Sequence, residues 1–273
     1  MGLKKITFTR ASVLTVLLLI FCVFFFSCAH NAGVADDITL EDGTVISALT
    51  LNGEEIYAVT FINDNGKDTY VVPDVVLDGK RIRVICEKAL QEYSSIRTLI
   101  IQDNITDFEM DLYFNYPALE SVYIGAGVNR ITEMPFAHCP NLRQVTVDIR
   151  NEKYYSEDNF IIEKETGRII AACAAWSKLP ESPSIIGGNS FCLLAQGEIA
   201  IPEHISRIEK NAFQGCEGLD AVYIPKSVTV IEENAFAGCG NAVIYCEVAQ
   251  KPSRWDENWD NGVKNVVWGT NGR

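Results

Sequence analysis

Apolar and small positions recur along this chain at a fixed interval while the polar residues between them change. Ile201, Pro202, Ile205, Ile208, Ala212, Phe213, Gly215 and Cys216 match Ile224, Pro225, Val228, Ile231, Ala235, Phe236, Gly238 and Cys239, every pair 23 residues apart. The pattern extends backwards through Ile124, Val128, Ile131, Phe136, Cys139, Leu142, Val145 and Val147, and then through Ile101, Ile105, Phe108, Tyr113, Tyr116, Leu119 and Val122. A further unit runs over Ile82, Ile85, Leu90, Tyr93, Ile96 and Leu99, and a looser one over Leu179, Ile186, Phe191 and Ile199. Keeping inward residues while letting outward ones vary is what stacked coils require, because each coil presents the same side chains to its neighbours.

Within a unit, Leu219 to Pro225 alternates as a strand does, with Val222 and Ile224 inward and Ala221 and Tyr223 outward. The segment that follows has apolar residues three to five apart, which predicts a turn and a short helical or 3₁₀ return. A strand and a return in every 20–29 residues predict a leucine-rich-repeat solenoid, mainly β, with a parallel sheet on one face. Parallel strands about 4.8 Å apart make six such coils plus caps a sheet roughly 30 Å long.

The spacing Ile-Pro-x-x-Val-x-x-Ile-x-x-x-Ala-Phe-x-x-Cys resembles the repeat of the BspA-like leucine-rich-repeat family of bacterial surface proteins, over about Val71 to Gly269. Asn151 to Cys173 resembles that family's interrupting hairpin, and Tyr245 to Gly269 its closing segment. Tyr93 and Tyr116 depart from the pattern where later units carry Cys, and the unit from Leu179 to Ala200 lacks both the Cys and the Val-Ile spacing.

The expected organisation is a signal peptide over 1–27, a tether over 28–37 and an N-terminal β cap over 38–80. Repeat coils follow over 81–147, an interrupting hairpin over 148–178, further coils over 179–246 and a C-terminal cap over 247–273. Lys4, Lys5 and Arg10 precede an apolar run from Ala11 to Phe26, too short for an ordinary membrane span. Cys28 follows a small residue and resembles a lipobox cysteine, which predicts an exported outer-membrane or cell-surface lipoprotein; a secreted or periplasmic protein is the alternative. In the N-terminal cap, Asn52-Gly53, Asp64 to Gly66 and Asp78-Gly79 are hairpin-turn signals. In the C-terminal cap, Trp255, Trp259 and Trp268 are expected to cover the last coil.

Charge narrows the partners. Removing 1–27, which holds three cations and no acid, takes the formal balance from −13 to −16. Such a surface repels phosphate backbones, so no nucleic-acid partner is expected. No cofactor or metal is expected, since CxxC, HExxH, Walker and nucleophile-elbow patterns are missing from the sequence. His30, His138 and His204 assemble no acid, base and nucleophile set, so no enzyme is expected. Cys139, Cys216 and Cys239 share one repeat position and read as buried thiols.

The outward strand positions remain. Tyr123, Tyr223 and Tyr245 fall in one column, and with Gln144 and Thr146 they are the expected partner-binding residues. β-propensity alone also places Tyr and Thr in strands. The family resemblance implies adhesion to a host matrix protein or another cell surface. A glycan module using Tyr and Trp platforms, with Trp255 and Trp259 on one face of a short helix, is the second reading. An architectural envelope protein is the third.

Overall fold

The computed structural model describes residues 37–51, 54–63, 66–77, 79–86, 89, 95–108, 116–132, 135–136, 139–174, 176, 178–193 and 196–270. The signal run, residues 28–36 of the tether with Cys28 and His30, His138, Tyr93, Tyr113 and the turns at Asn52-Gly53, Asp64 and Asp78 lie outside these residues.

The chain begins with strands β1 (Ile38–Thr39), β2 (Val45–Leu51) and β3 (Glu54–Phe61), paired antiparallel. β4 (Thr69–Val71) follows, and then β5 (Val76–Leu77) pairs antiparallel with β6 (Lys80–Ile85). The next strands come in front and return pairs: β7 (Thr98–Ile101) with β8 (Asp107–Phe108), and β9 (Ser121–Ile124) with β10 (Arg130–Ile131). β11 (Gln144–Val147) leads into an antiparallel meander of β12 (Tyr154–Glu157), β13 (Phe160–Glu163) and β14 (Arg168–Ala172). The remaining strands are β15 (Ile185–Ile186), β16 (Gln196–Ala200), β17 (Arg207–Ile208), β18 (Gly218–Ile224), β19 (Val230–Ile231), β20 (Val243–Cys246) and β21 (Asn265–Trp268).

These strands form four sheets. Front ladders run β11-β9-β7-β4 and β16-β18-β20-β21, all parallel. Return sheets run β1-β2-β3-β6-β8-β10 and β12-β13-β14-β15-β17-β19. The solenoid and its parallel front are as the repeat predicts, whereas the helical or 3₁₀ returns are not found among the described residues. Two-residue strands stand there instead, paired coil to coil, as in Arg207↔Val230 and Ile208↔Ile231. Backbone bonds between coils, such as Phe213 N–H to Ala235 O at 2.8 Å, alternate in the returns with turn bonds within a coil, such as Gln214 N–H to Asn211 O at 3.0 Å.

The repeat positions build the core. Phe191, Phe213 and Phe236 stack in line, with centroids 4.8 Å and then 5.1 Å apart, and Trp259 closes the row edge-on at 5.8 Å. Tight turns recur with them: Asn189, Asn211 and Asn234 all have φ near +59° (58, 59 and 59°), and Gly215 and Gly238 take φ of 70° and 79°. Asn and Gly are the residues that tolerate this left-handed conformation. Leu193 occupies the same place with φ 63° and lacks that tolerance, which marks its coil as the irregular one.

The meander divides the core in two. Asp158 and Asn159, with φ of 50° and 68°, form its first hairpin turn, as such a two-residue turn requires. In β13, Ile161 packs into the N-terminal core, while Phe160 and Ile162 pack into the C-terminal one. Side chains alternate across a strand, so a strand buried on both faces is apolar throughout. Asn159 Oδ1 and Ser156 Oγ accept from the backbone N–H groups of Val145 and Val147 at 3.4 and 3.0 Å, covering the edge of β11.

Candidate binding face

Register fixes what the front ladders display. One outward column reads Val71, Ile100, Tyr123, Thr146, and beside it Thr69, Thr98, Ser121, Gln144. On the C-terminal ladder the columns are Ala200, Tyr223, Tyr245, Val267 and Glu198, Ala221, Val243, Asn265. Alternate residues, such as Leu99, Val122, Val222 and Ile244, point into the core.

The expected binding residues fall into two groups. Tyr223 and Tyr245 are register partners and stack, centroids 5.0 Å apart and planes within 9°. Each ring covers one face of the other, so their edges are turned outward. Tyr123, Gln144 and Thr146 lie together on the other ladder, Tyr123 directly opposite Thr146. Gln144 Nε2 donates to Thr146 Oγ1 at 3.5 Å.

The Tyr123 hydroxyl donates to Asp148 Oδ2. Arg150 grips the same carboxylate through Nε and Nη2 at 3.0 and 2.8 Å, and Nη2 also reaches Asp103 at 2.9 Å. The Arg150 side chain, followed by the Tyr123 hydroxyl, holds the Asp148 carboxyl well below the usual carboxylate range. The bond to Asp148 in turn raises the Tyr123 phenol. Between Asp148 and Arg150 the chain displays Ile149, 93% exposed.

The periodic reading missed the outer rungs of both columns. Val71 is 47% and Val267 40% exposed, and both belong to the front rather than to caps alone. The signal for Val267 lay in its alternation with Val266 and Trp268, 22 residues after Tyr245. Val71 is 29 residues before Ile100, a longer step than the repeat.

The tryptophans do not form an exposed platform. Trp255 and Trp259 are 2% and 1% exposed; Trp255 makes an isolated parallel bridge to Ile231 and Trp259 stands in a turn, rather than both lying on the short helix expected for them. Their rings meet edge to face at 5.0 Å, and Trp255 Nε1 donates to Val228 O at 3.2 Å. Both rings cover the last coil.

The cysteine column is an interior row. Cys139, Cys216 and Cys239 are buried, and none of the seven described cysteines is joined in a disulfide. Cys216 Sγ donates to Phe191 O at 3.0 Å and Cys239 Sγ to Phe213 O at 3.1 Å, each reaching back one coil. Burial pushes Cys139, Cys192 and Cys246 up to about 12, so these thiols stay protonated at neutral pH. His204 Nε2 lies 3.1 Å from Pro180 O, in a turn. Among the described residues, no group of three or more His, Cys, Asp or Glu is placed to hold a metal ion.

With the coils and their face described, the matching family model carries the description BspA type Leucine rich repeat region, in six copies over residues 72–161 and 175–254. The chain belongs to that family. Solved structures are similar to the chain at low identity. A leucine-rich repeat protein from Eubacterium ventriosum is 15% identical, covering 86% of this chain and 79% of its own, with TM-score 0.45. The T. pallidum leucine-rich repeat protein is 16% identical over 72% of this chain and 87% of its own, with TM-score 0.46. A leucine-rich cell surface protein from Faecalibacterium prausnitzii is 14% identical over 89% and 96%, with TM-score 0.38. No curated protein matches the chain. The gap between the two matched regions, 162–174, begins in β13 and ends just after β14 of the meander.

Proposed function

We propose that this BspA-type chain is an exported surface protein, lipid-anchored at Cys28, that recognises a protein partner through its front ladders and catalyses nothing. The observation that carries this reading is the row Ala200, Tyr223, Tyr245 and Val267, set by register on a rigid parallel ladder. Stacked tyrosines held on such a ladder give a large contact at small entropic cost, because their rotamers are already restricted. Tyr123, Thr146 and Gln144 extend the contact on the other ladder.

Protein is favoured over glycan by the same geometry. Sugar platforms offer open aromatic faces, whereas Tyr223 and Tyr245 cover one face of each other and Trp255 and Trp259 are buried.

The test is binding of the purified chain to parallel panels of matrix proteins and glycans, with a Tyr223→Ala/Tyr245→Ala variant alongside. Saturable protein binding, weakened at least about tenfold in the variant while its unfolding midpoint holds, is the expected result. Glycan binding that the variant retains would overturn the proposal. Labelled fatty acid is expected on the wild type and not on Cys28→Ala.

A further inference from the structure

The front ladder of the C-terminal coils ends in an open strand. β21 follows β20 with no register shift, and among the described residues it pairs with no other strand. The edge of β11, by contrast, is covered by Asn159 and Ser156. Open edges are commonly blunted by a charge, a proline or a bulge, and Asn265-Val266-Val267-Trp268 contains none of these.

Register settles which groups the edge displays. Glu247 N–H donates to Ile224 O, so odd-numbered residues of β20 turn their backbone groups toward β18 and even-numbered ones toward β21. Asn265 and Val267 therefore face β20, and the N–H and C=O groups of Val266 and Trp268 point away from the sheet. The Val267 side chain is 40% exposed on the front, while Val266 and Trp268 are half-buried at the end of the core. The Trp268 ring lies 5.9 Å from Trp255 and 6.3 Å from Trp259.

This edge is complementary to itself. Antiparallel strands exchange bonds between residues whose backbone groups face each other, so Val266 of one copy opposite Trp268 of another satisfies every open group of both. A two-fold axis at Val267 gives that register and sets each Val267 beside its counterpart in a non-hydrogen-bonded pair, where side chains come closest. On the core side, Val266 then lies against Trp268 as a β-branched and aromatic pair. Lys264 falls opposite Thr270, so no like charges meet.

Charge favours the same end. Residues 251–270 carry Lys251, Arg254 and Lys264 against Asp256, Glu257 and Asp260, which is three against three and formally neutral in a chain of −13. The opposite end, residues 37–71, holds seven acidic residues against the single Lys67, and two such ends would repel. An extended segment of another protein would satisfy the edge of this chain alone, whereas a second copy satisfies two edges in one register.

We infer that β21 is a homodimer interface, at which two copies join antiparallel through Val266, Val267 and Trp268 into one continuous front sheet. The rows that end in Val267 meet at the axis, and both copies present their fronts on the same side. The inference does not depend on what the front binds.

The test is sedimentation velocity of the full chain, in a detergent matched in density to the buffer, over an about hundredfold range of concentration. The wild type is expected to pass from one copy to two as concentration rises. Val267→Lys sets two ammonium groups against each other at the axis and is expected to weaken association at least about tenfold, whereas Val71→Lys, on the other ladder, changes it less than about twofold. Oxidation with diamide reads the register, with the wild type as blank. Val267→Cys is expected to give a disulfide-linked dimer, because residues paired at the axis come within disulfide reach, whereas Asn265→Cys, which faces Gly269, is not. If Val267→Lys lowers the unfolding midpoint, the cysteine pattern decides. A chain that stays a single copy, association that Val267→Lys leaves intact, equal cross-linking of both cysteine variants, or a series of ever larger species, as head-to-tail pairing gives, would overturn the inference.

Discussion

Truncating Phe213 to Ala tests whether the interior row holds the coils together. Phe213 is fully buried, with Phe191 stacked at 4.8 Å on one side and Phe236 at 5.1 Å on the other. Removing a buried phenylalanine ring costs about 3–5 kcal/mol, from lost transfer energy and the cavity left behind. This site belongs at the upper end, because both flanking rings lose a partner and their coils are pinned by backbone bonds such as Phe213 N–H to Ala235 O at 2.8 Å. A domain holds only about 5–15 kcal/mol in total, so the loss is a large part of it. Urea unfolding followed by circular dichroism and by tryptophan fluorescence measures the change, with Phe61→Ala as control. Phe61 is 36% exposed at the end of β3, and its truncation is expected to cost about 1 kcal/mol or less. In a solenoid each coil contacts only its neighbours, so the weakened coil is also expected to separate the two probes' transitions. A Phe213→Ala loss below about 1.5 kcal/mol, or one equal to the Phe61 control, would refute the stacked-row account.

Two further outcomes follow from single side chains. Asn151 is fully buried, donates Nδ2 to Gly125 O and Val128 O, and accepts at Oδ1 from the N–H groups of Lys153 and Tyr154. Asn151→Ala removes four hydrogen bonds to backbone groups and is expected to cost about 2–4 kcal/mol by chemical unfolding, with Asn151→Asp also destabilising because it cannot donate. Asp260 has its pKa raised, first by burial, so the folded state prefers it neutral. Below the unfolded carboxyl pKa it contributes no penalty; the penalty grows as pH rises through the window up to the raised folded value and stays constant above it. Asp260→Asn is therefore expected to raise the melting temperature at pH 7 and to leave it nearly unchanged at pH 3. An equal effect at both pH values would contradict this assignment.

The repeat register was legible because stacking forces the same inward residues on every coil, and it placed Tyr223 beside Tyr245, 22 residues on, and Tyr123 beside Thr146, 23 residues on. The returns were not legible as strands. Asp107–Phe108 and Val230–Ile231 are only two residues each, too short to show alternation, and their pairing partners lie a whole coil away. Phe160, Ile161 and Ile162 form an apolar run that does not reveal which of two cores each side chain enters. β4 escaped because its step to β7 is 29 residues, stretched by the β5–β6 hairpin.

The most direct test of the account is hydrogen–deuterium exchange of the chain alone and with a saturating protein partner found on the binding panel. Recognition through the front predicts slowed exchange confined to the front strands, β16, β18, β20 and β21 with β9 and β11, while the return strands β15, β17 and β19 stay unchanged. Protection of the return strands with the front unaffected would contradict it.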